Sequence, residues 1–152
     1  MHFIDLIKKI SIDEEVILFV DMDGVIASYD VGRPYDFKNK RPLKNNINIF
    51  REIAKLDRVS LHILSVCREN YQIEEKNEWL DFNAPFFEKE NRVILSKEDS
   101  IYKISSELKL NYLKNYKTDK KIVFIDDDNS VLSVVNKELK NIILFQDSEL
   151  VD

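Results

Sequence analysis

Val16-Ile17-Leu18-Phe19-Val20-Asp21-Met22-Asp23-Gly24-Val25 is an unbroken apolar run that ends in two carboxylates, one residue apart, followed by a glycine. A run this rich in Val, Ile and Phe predicts a strand buried on both faces, as in a parallel sheet. Ligands of open α/β sheets bind outside the carboxyl ends of the strands, so Asp21 and Asp23 stand where chemistry is expected. Gly24, one of only two glycines in the chain, lets the backbone turn sharply and leaves room for a ligand. An Asp-x-Asp-Gly string also serves as a plain polar turn. A second acidic cluster, Asp126-Asp127-Asp128, follows a second apolar run, Lys121-Ile122-Val123-Phe124-Ile125, and favours the functional reading.

Outward from that stretch, strands and helices alternate. The pattern of residues 1–10 predicts a short amphipathic helix and lacks the basic leader and cleavage site of a signal peptide. Ile26 to Arg41 is polar, aromatic and proline-containing, hence a loop, and its origin beside Asp23 makes residues 28–41 a candidate lid. A helix opens at Pro42-Leu43 and runs to about Leu56, with Leu43, Ile47, Phe50 and Ile53 on one face. Val59 to Leu64 is the second strand, ending at Ser65. A helix from Gln72 to Asp81 is stopped by Asn83-Ala84-Pro85. Arg92 to Leu95 is a third strand, and Ser105 or Ser106 caps a helix through Asn115. After the fourth strand at 121–125, a helix carries Val131, Val134, Val135 and Leu139 inward, and Asn141 to Phe145 is the fifth strand. This alternation predicts an α/β fold: an open, mainly parallel five-stranded sheet with helices on both faces.

Bulk properties set the frame. A chain of 152 residues, 44% hydrophobic and 34% charged, predicts one soluble domain over 1–152. The net charge of −5 does not favour nucleic acid as a partner. No apolar stretch is long enough to span a membrane. The single cysteine, Cys67, excludes an internal disulfide and fits a reducing compartment, so a cytoplasmic location is expected.

The strand ends together offer Asp21, Asp23, Ser65, Asp126 and Asp127, with Lys109 on the helix before strand four. Several carboxylates crowded at one edge repel each other. A hard divalent cation relieves this, and oxygen ligands suit magnesium. Metal, lysine and serine hydroxyl would make a receptor for phosphate. One carboxylate could then attack phosphorus while another, two residues on, manages the proton.

These residues resemble the haloacid dehalogenase superfamily, in its phosphatase branches, over most of the chain. Asp21-Met22-Asp23-Gly24-Val25 resembles the first motif, which implies Asp21 as nucleophile, Asp23 as acid/base, and the backbone carbonyl of Asp23 as a metal ligand beside Asp21. Ser65 resembles the second motif and implies a phosphate hydrogen bond. Lys109, in Lys109-Leu110-Asn111-Tyr112-Leu113, is similar to the third-motif lysine, with Lys97, Lys103 and Lys114 as rivals. Asp126-Asp127 resembles the acidic fourth motif, with Asp127 ahead of Asp126 as the direct magnesium ligand. Asp21 to Ala27 and Glu75-Lys76-Asn77-Glu78-Trp79-Leu80 are similar to small 5′-nucleotidase-like members. Those relatives carry a helical cap that Ser28 to Arg41 is too short to form. Either the substrate is larger than a nucleotide, or another subunit of a homo-oligomer covers the site, or the loop does so alone.

Other residues have plainer readings. Cys67-Arg68 is no cysteine-phosphatase loop, because Ile73 stands where that loop needs arginine. His62 lacks a zinc partner at suitable spacing and is read as a core residue. Trp79, Phe82, Phe86 and Phe87 are read as packing residues, with base stacking as the other role. Arg33 and Arg68 flank the expected site, where each binds substrate anion or is simply solvated. The reading is a magnesium-dependent phosphomonoester hydrolase acting through an aspartyl-phosphate. The alternatives are a catalytically silent metal-binding or regulatory module and a dehalogenase of the same fold.

Overall fold

The structure is a computed structural model that describes residues 2–151. Its order is α1 (Phe3–Asp13), β1 (Val16–Val20), α2 (Lys44–Ile53), β2 (Val59–Cys67), α3 (Tyr71–Asn83), β3 (Arg92–Ser96), α4 (Ser105–Asn115), β4 (Lys121–Asp126), α5 (Asn129–Glu138) and β5 (Ile143–Gln146). The five strands form one parallel sheet in the order β3-β2-β1-β4-β5.

All five residues of β1 are buried, because both faces of this central strand are covered. Leu18 and Val20 face one core with Phe3 and Ile7 of α1, Ile47 and Phe50 of α2, and Trp79 and Leu80 of α3. Ile17 and Phe19 face the other core with Leu113 of α4 and Val131 and Val135 of α5. Period-two alternation along β1 therefore feeds both cores and explains why its sequence has no polar residue. Expected and observed elements agree in kind and order, with ends that differ by a few residues.

β2 differs most. It runs through Cys67 instead of stopping at Ser65, and pairs with β3 up to Cys67 opposite Ser96. Phe82 is also unlike its expected packing role, being 88% exposed, whereas Trp79 and Phe87 are buried. His62 is half-buried, within hydrogen-bond distance of Ser60 (2.9 Å) and against the Phe19 ring.

The sheet order reverses at β1: the chain steps outward to β2 and β3, then returns to place β4 on the other side. Such a switch point opens a crevice at the strand ends. The segment from 28 to 41 crosses it as a loop with a closed neck, where Ser28 N donates to Arg41 O (2.8 Å) and Arg41 N to Ser28 Oγ (3.0 Å). Inside the loop, Phe37–Asn39 forms a single 3₁₀ turn with Phe37 buried. Among the described residues, no helix is long and apolar enough to cross a membrane.

Candidate active site

Asp21 follows directly on β1, its N–H donating to Ile125 O of β4 (3.0 Å). That bond ties the end of β1 to the strand that ends in Asp126. The chain then turns tightly, with Met22 O accepting from the N–H groups of Val25, Ile26 and Ala27. Gly24 makes this turn at φ +87°, and a Cβ there would stand 2.0 Å from Asp127 Oδ2. The glycine is therefore required twice, by its backbone angle and by the carboxylate across from it.

Asp21, Asp126 and Asp127 each present a carboxylate oxygen, and these oxygens lie within 4.8 Å of one another. Lys109, buried on α4, reaches into the cluster: Nζ donates to Asp21 Oδ1 (2.9 Å) and Asp126 Oδ2 (2.6 Å). Asp126 Oδ1 accepts from the N–H of Asp128, while Asp128 caps α5 by accepting from Ser130 N (2.8 Å). Asp128 is thus a helix cap.

Burial, opposed by Lys109 but aided by the neighbouring acids, raises Asp21 well above the usual carboxylate range. Asp127 is pushed up to about 6, chiefly by burial and also by the charge of Asp126. Burial alone would lower the Lys109 ammonium; the two carboxylates outweigh it and raise it, so Lys109 stays charged. Three carboxylates grouped this closely could hold a hard divalent cation.

Asp23 is arranged differently. Its side chain lies outside that group of three and pairs with two buried lysines. Lys76 Nζ of α3 donates to Asp23 Oδ2 (3.0 Å), Ser65 Oγ (2.7 Å) and Val66 O (2.9 Å), which uses all three of its protons. Lys40 Nζ, from the loop, lies 3.1 Å from Asp23 Oδ1 and donates to Ser28 O (3.2 Å). The Lys40–Asp23 contact is ionic but poorly aligned, so Oδ1 has no hydrogen-bond donor among the described residues. Trp79 Nε1 donates to Lys40 O (2.9 Å), fastening the loop to α3.

Asp21, Asp23, Lys109, Asp126 and Asp127 all line a cavity of about 390 Å³ under the loop. Tyr29, Tyr35 and Phe37 of the loop close one side. Ser65 is fully buried and does not line this cavity; Val66, Cys67 and Arg68 do. The structure places Asp21, Asp23, Lys109, Asp126 and Asp127 on one cavity, with Ser65 one layer deeper. Among the rival lysines, Lys97 lines the cavity without touching Asp21, and Lys103 Nζ donates to Lys97 O. Arg33 is exposed and outside the cavity wall.

Lys40 has no place in the sequence reading, and Lys76 stands there only within the stretch Glu75 to Leu80, with no role in the site. Lys76 had a signal: it shares the buried face of α3 with Gln72, Trp79 and Leu80, where a lysine has no place unless paired. Lys40, in an irregular loop, had none.

No family model matches this chain, and no curated protein matches it in sequence. Solved structures share its fold. A chain of the Pnkp1/Rnl/Hen1 RNA repair complex superposes with a TM-score of 0.68 at 19% identity, over 88% of this chain and 42% of that one. A second structure of the Pnkp1/Rnl/Hen1 complex gives 0.69 at 19%, covering 88% of this chain and 46% of the other. The N-terminal part of protein BF1531 from Bacteroides fragilis, which contains a phosphatase domain complexed with Mg, gives 0.56 at 18%, over 89% and 37%. The chain spans less than half the length of each of these.

Proposed function

We propose that residues 1–152 are one catalytic domain, a magnesium-dependent phosphomonoester hydrolase in which Asp21 attacks phosphorus. The observation that carries this reading is the buried Lys109 ammonium shared by Asp21 and Asp126 at the switch point of the sheet. Shared fold with a Mg-bound phosphatase domain supports it.

Charge balance supports it too. Asp21, Asp23, Asp126 and Asp127 against Lys40, Lys76 and Lys109 leave one negative charge when all are ionised. A divalent cation would turn this into one positive charge, suited to a phosphate dianion. Asp21, Asp126 and Asp127 fit that cation by donor type and spacing; magnesium bound there would neutralise charge on the transferring phosphoryl oxygens.

Asp21 then forms an O–P bond as the ester P–O bond breaks, and Asp23, which must first take up a proton as the substrate binds, gives that proton to the departing oxygen. In the second step Asp23 takes a proton from water, water bonds to phosphorus, and the Asp21–phosphate bond breaks to release phosphate. Lys109 keeps Asp21 oriented and offsets charge on the phosphoryl group. Ser65, buried behind the cavity wall and held by Lys76, fixes the Lys76 ammonium against Asp23, and the direct phosphate hydrogen bond that its motif implies would need the substrate to reach past Val66. Nucleotides belong among the first substrates to screen, given the similarity to 5′-nucleotidase-like members.

Hydrolysis of p-nitrophenyl phosphate tests the reading. It should need magnesium, stop with chelator, and fall at least about a thousandfold in Asp21→Asn with unchanged circular dichroism. Retained turnover in that variant removes Asp21 as nucleophile, and no turnover in the parent protein favours a silent module.

A further inference from the structure

The cavity has room for more than a phosphate group, and its volume of about 390 Å³ falls in the range of small-molecule sites. Three basic side chains line it: Lys109, Arg68 and Lys97. Lys109 is committed to Asp21 and Asp126. Neither Arg68 nor Lys97 has a carboxylate within ion-pair distance among the described residues.

Their surroundings contain acids, but these are turned elsewhere. Glu98 accepts from Asn70 N (3.1 Å), Asp99 from Asn70 Nδ2 (2.7 Å), and Glu69 is hydrogen-bonded with Tyr71. The two cations are also neighbours by construction. Cys67 of β2 pairs with Ser96 of β3, and Lys97 N donates to Cys67 O (2.9 Å), so Arg68 and Lys97 leave adjacent strand ends side by side. Arg68 lies over the Tyr35 ring, 4.4 Å from its centroid, which fixes the guanidinium plane and leaves its edge donors for a ligand.

We propose that Arg68 and Lys97 form a second anion subsite, and that the substrate is a phosphomonoester bearing a second phosphate. The inference rests on the hydrolase reading for the fate of the first phosphate only. Two unpaired cations match the two charges of a phosphate dianion, and the Arg fork suits its oxygens. The sheet sets the spacing. Asp21, the group that would bond to the first phosphorus, leaves the end of β1, and the subsite lies between the ends of β2 and β3. One and a half strand spacings separate the end of β1 from that point, so the second phosphorus sits roughly 7 Å from the first.

The test compares 3-hydroxypropyl phosphate with propane-1,3-diyl bisphosphate, which differ only in the second phosphate. The parent protein should favour the bisphosphate in kcat/KM by at least about tenfold, mainly through KM. Arg68→Gln/Lys97→Gln should bring the ratio within about twofold of unity, and Lys114→Gln/Lys117→Gln, a charge-matched control at two exposed positions, should keep it. A ratio near one in the parent protein, or one that survives the double variant, overturns the subsite. Calorimetric binding of propane-1,3-diyl bisphosphonate against propylphosphonate reads the same selectivity without turnover. Selective binding that depends on Arg68 and Lys97, with neither ester hydrolysed, would sink the hydrolase reading alone. Hydrolysis of both esters without selectivity would sink the subsite alone.

Discussion

Lys76 shows how a single residue can order a cavity wall without lining the cavity. Its ammonium is fully buried, and all three protons are spent on Asp23, Ser65 and Val66. A buried lysine is tolerated only when paired, and removing one partner strands the other. Lys76→Met keeps most of the volume but leaves Asp23 and Ser65 without their donor. Asp23 is 21% exposed and retains some solvation, so the cost should sit near the lower end for a broken buried pair, about 3 kcal/mol. Thermal or urea unfolding measures it, and Lys76→Met/Asp23→Asn should recover a large part through coupling. A loss no greater than that of an exposed Lys→Met exchange would show the network to be of no structural weight. Lys109, by contrast, stood out in the sequence only through its likeness to the third motif, beside Lys97, Lys103 and Lys114, and it is its burial and its reach to Asp21 and Asp126 that set it apart.

At the level of the element, the turn after β1 is the joint on which the site depends. Gly24 combines a left-handed φ with a backbone so close to Asp127 that no side chain fits. Gly24→Ala should cost about 1–2 kcal/mol from backbone conformation alone, and more from displacing Asp127. Magnesium affinity, read by calorimetry, should fall with stability; unchanged affinity would mean that Asp127 is not held by this contact. The turn was readable because Asp-x-Asp-Gly carries its own geometry. The end of β2 was not. Ser65 looks like the polar stop of an apolar strand, yet the strand continues two residues because Lys76 satisfies its hydroxyl inside the protein. A partner from a distant helix overrode the local pattern, which no reading of neighbours along the chain detects.

For the whole molecule, topology does most of the work. The order β3-β2-β1-β4-β5 brings acids 105 residues apart, Asp21 and Asp126, to one buried lysine. That much followed from two apolar runs ending in carboxylates, because parallel strands align their ends. The cations of the loop side did not follow, because Lys40 reaches Asp23 through an irregular segment fastened by Trp79. The central claim is that Asp21 becomes phosphorylated. Asp23→Asn should slow the second step while leaving p-nitrophenolate, which departs without a proton, able to leave in the first. Acid quench of Asp23→Asn mixed with magnesium and p-nitrophenyl phosphate, followed by peptide mass spectrometry, should show a hydroxylamine-labile phosphate on Asp21. A stoichiometric burst of nitrophenolate with the phosphate on another residue, or on none, would contradict the account.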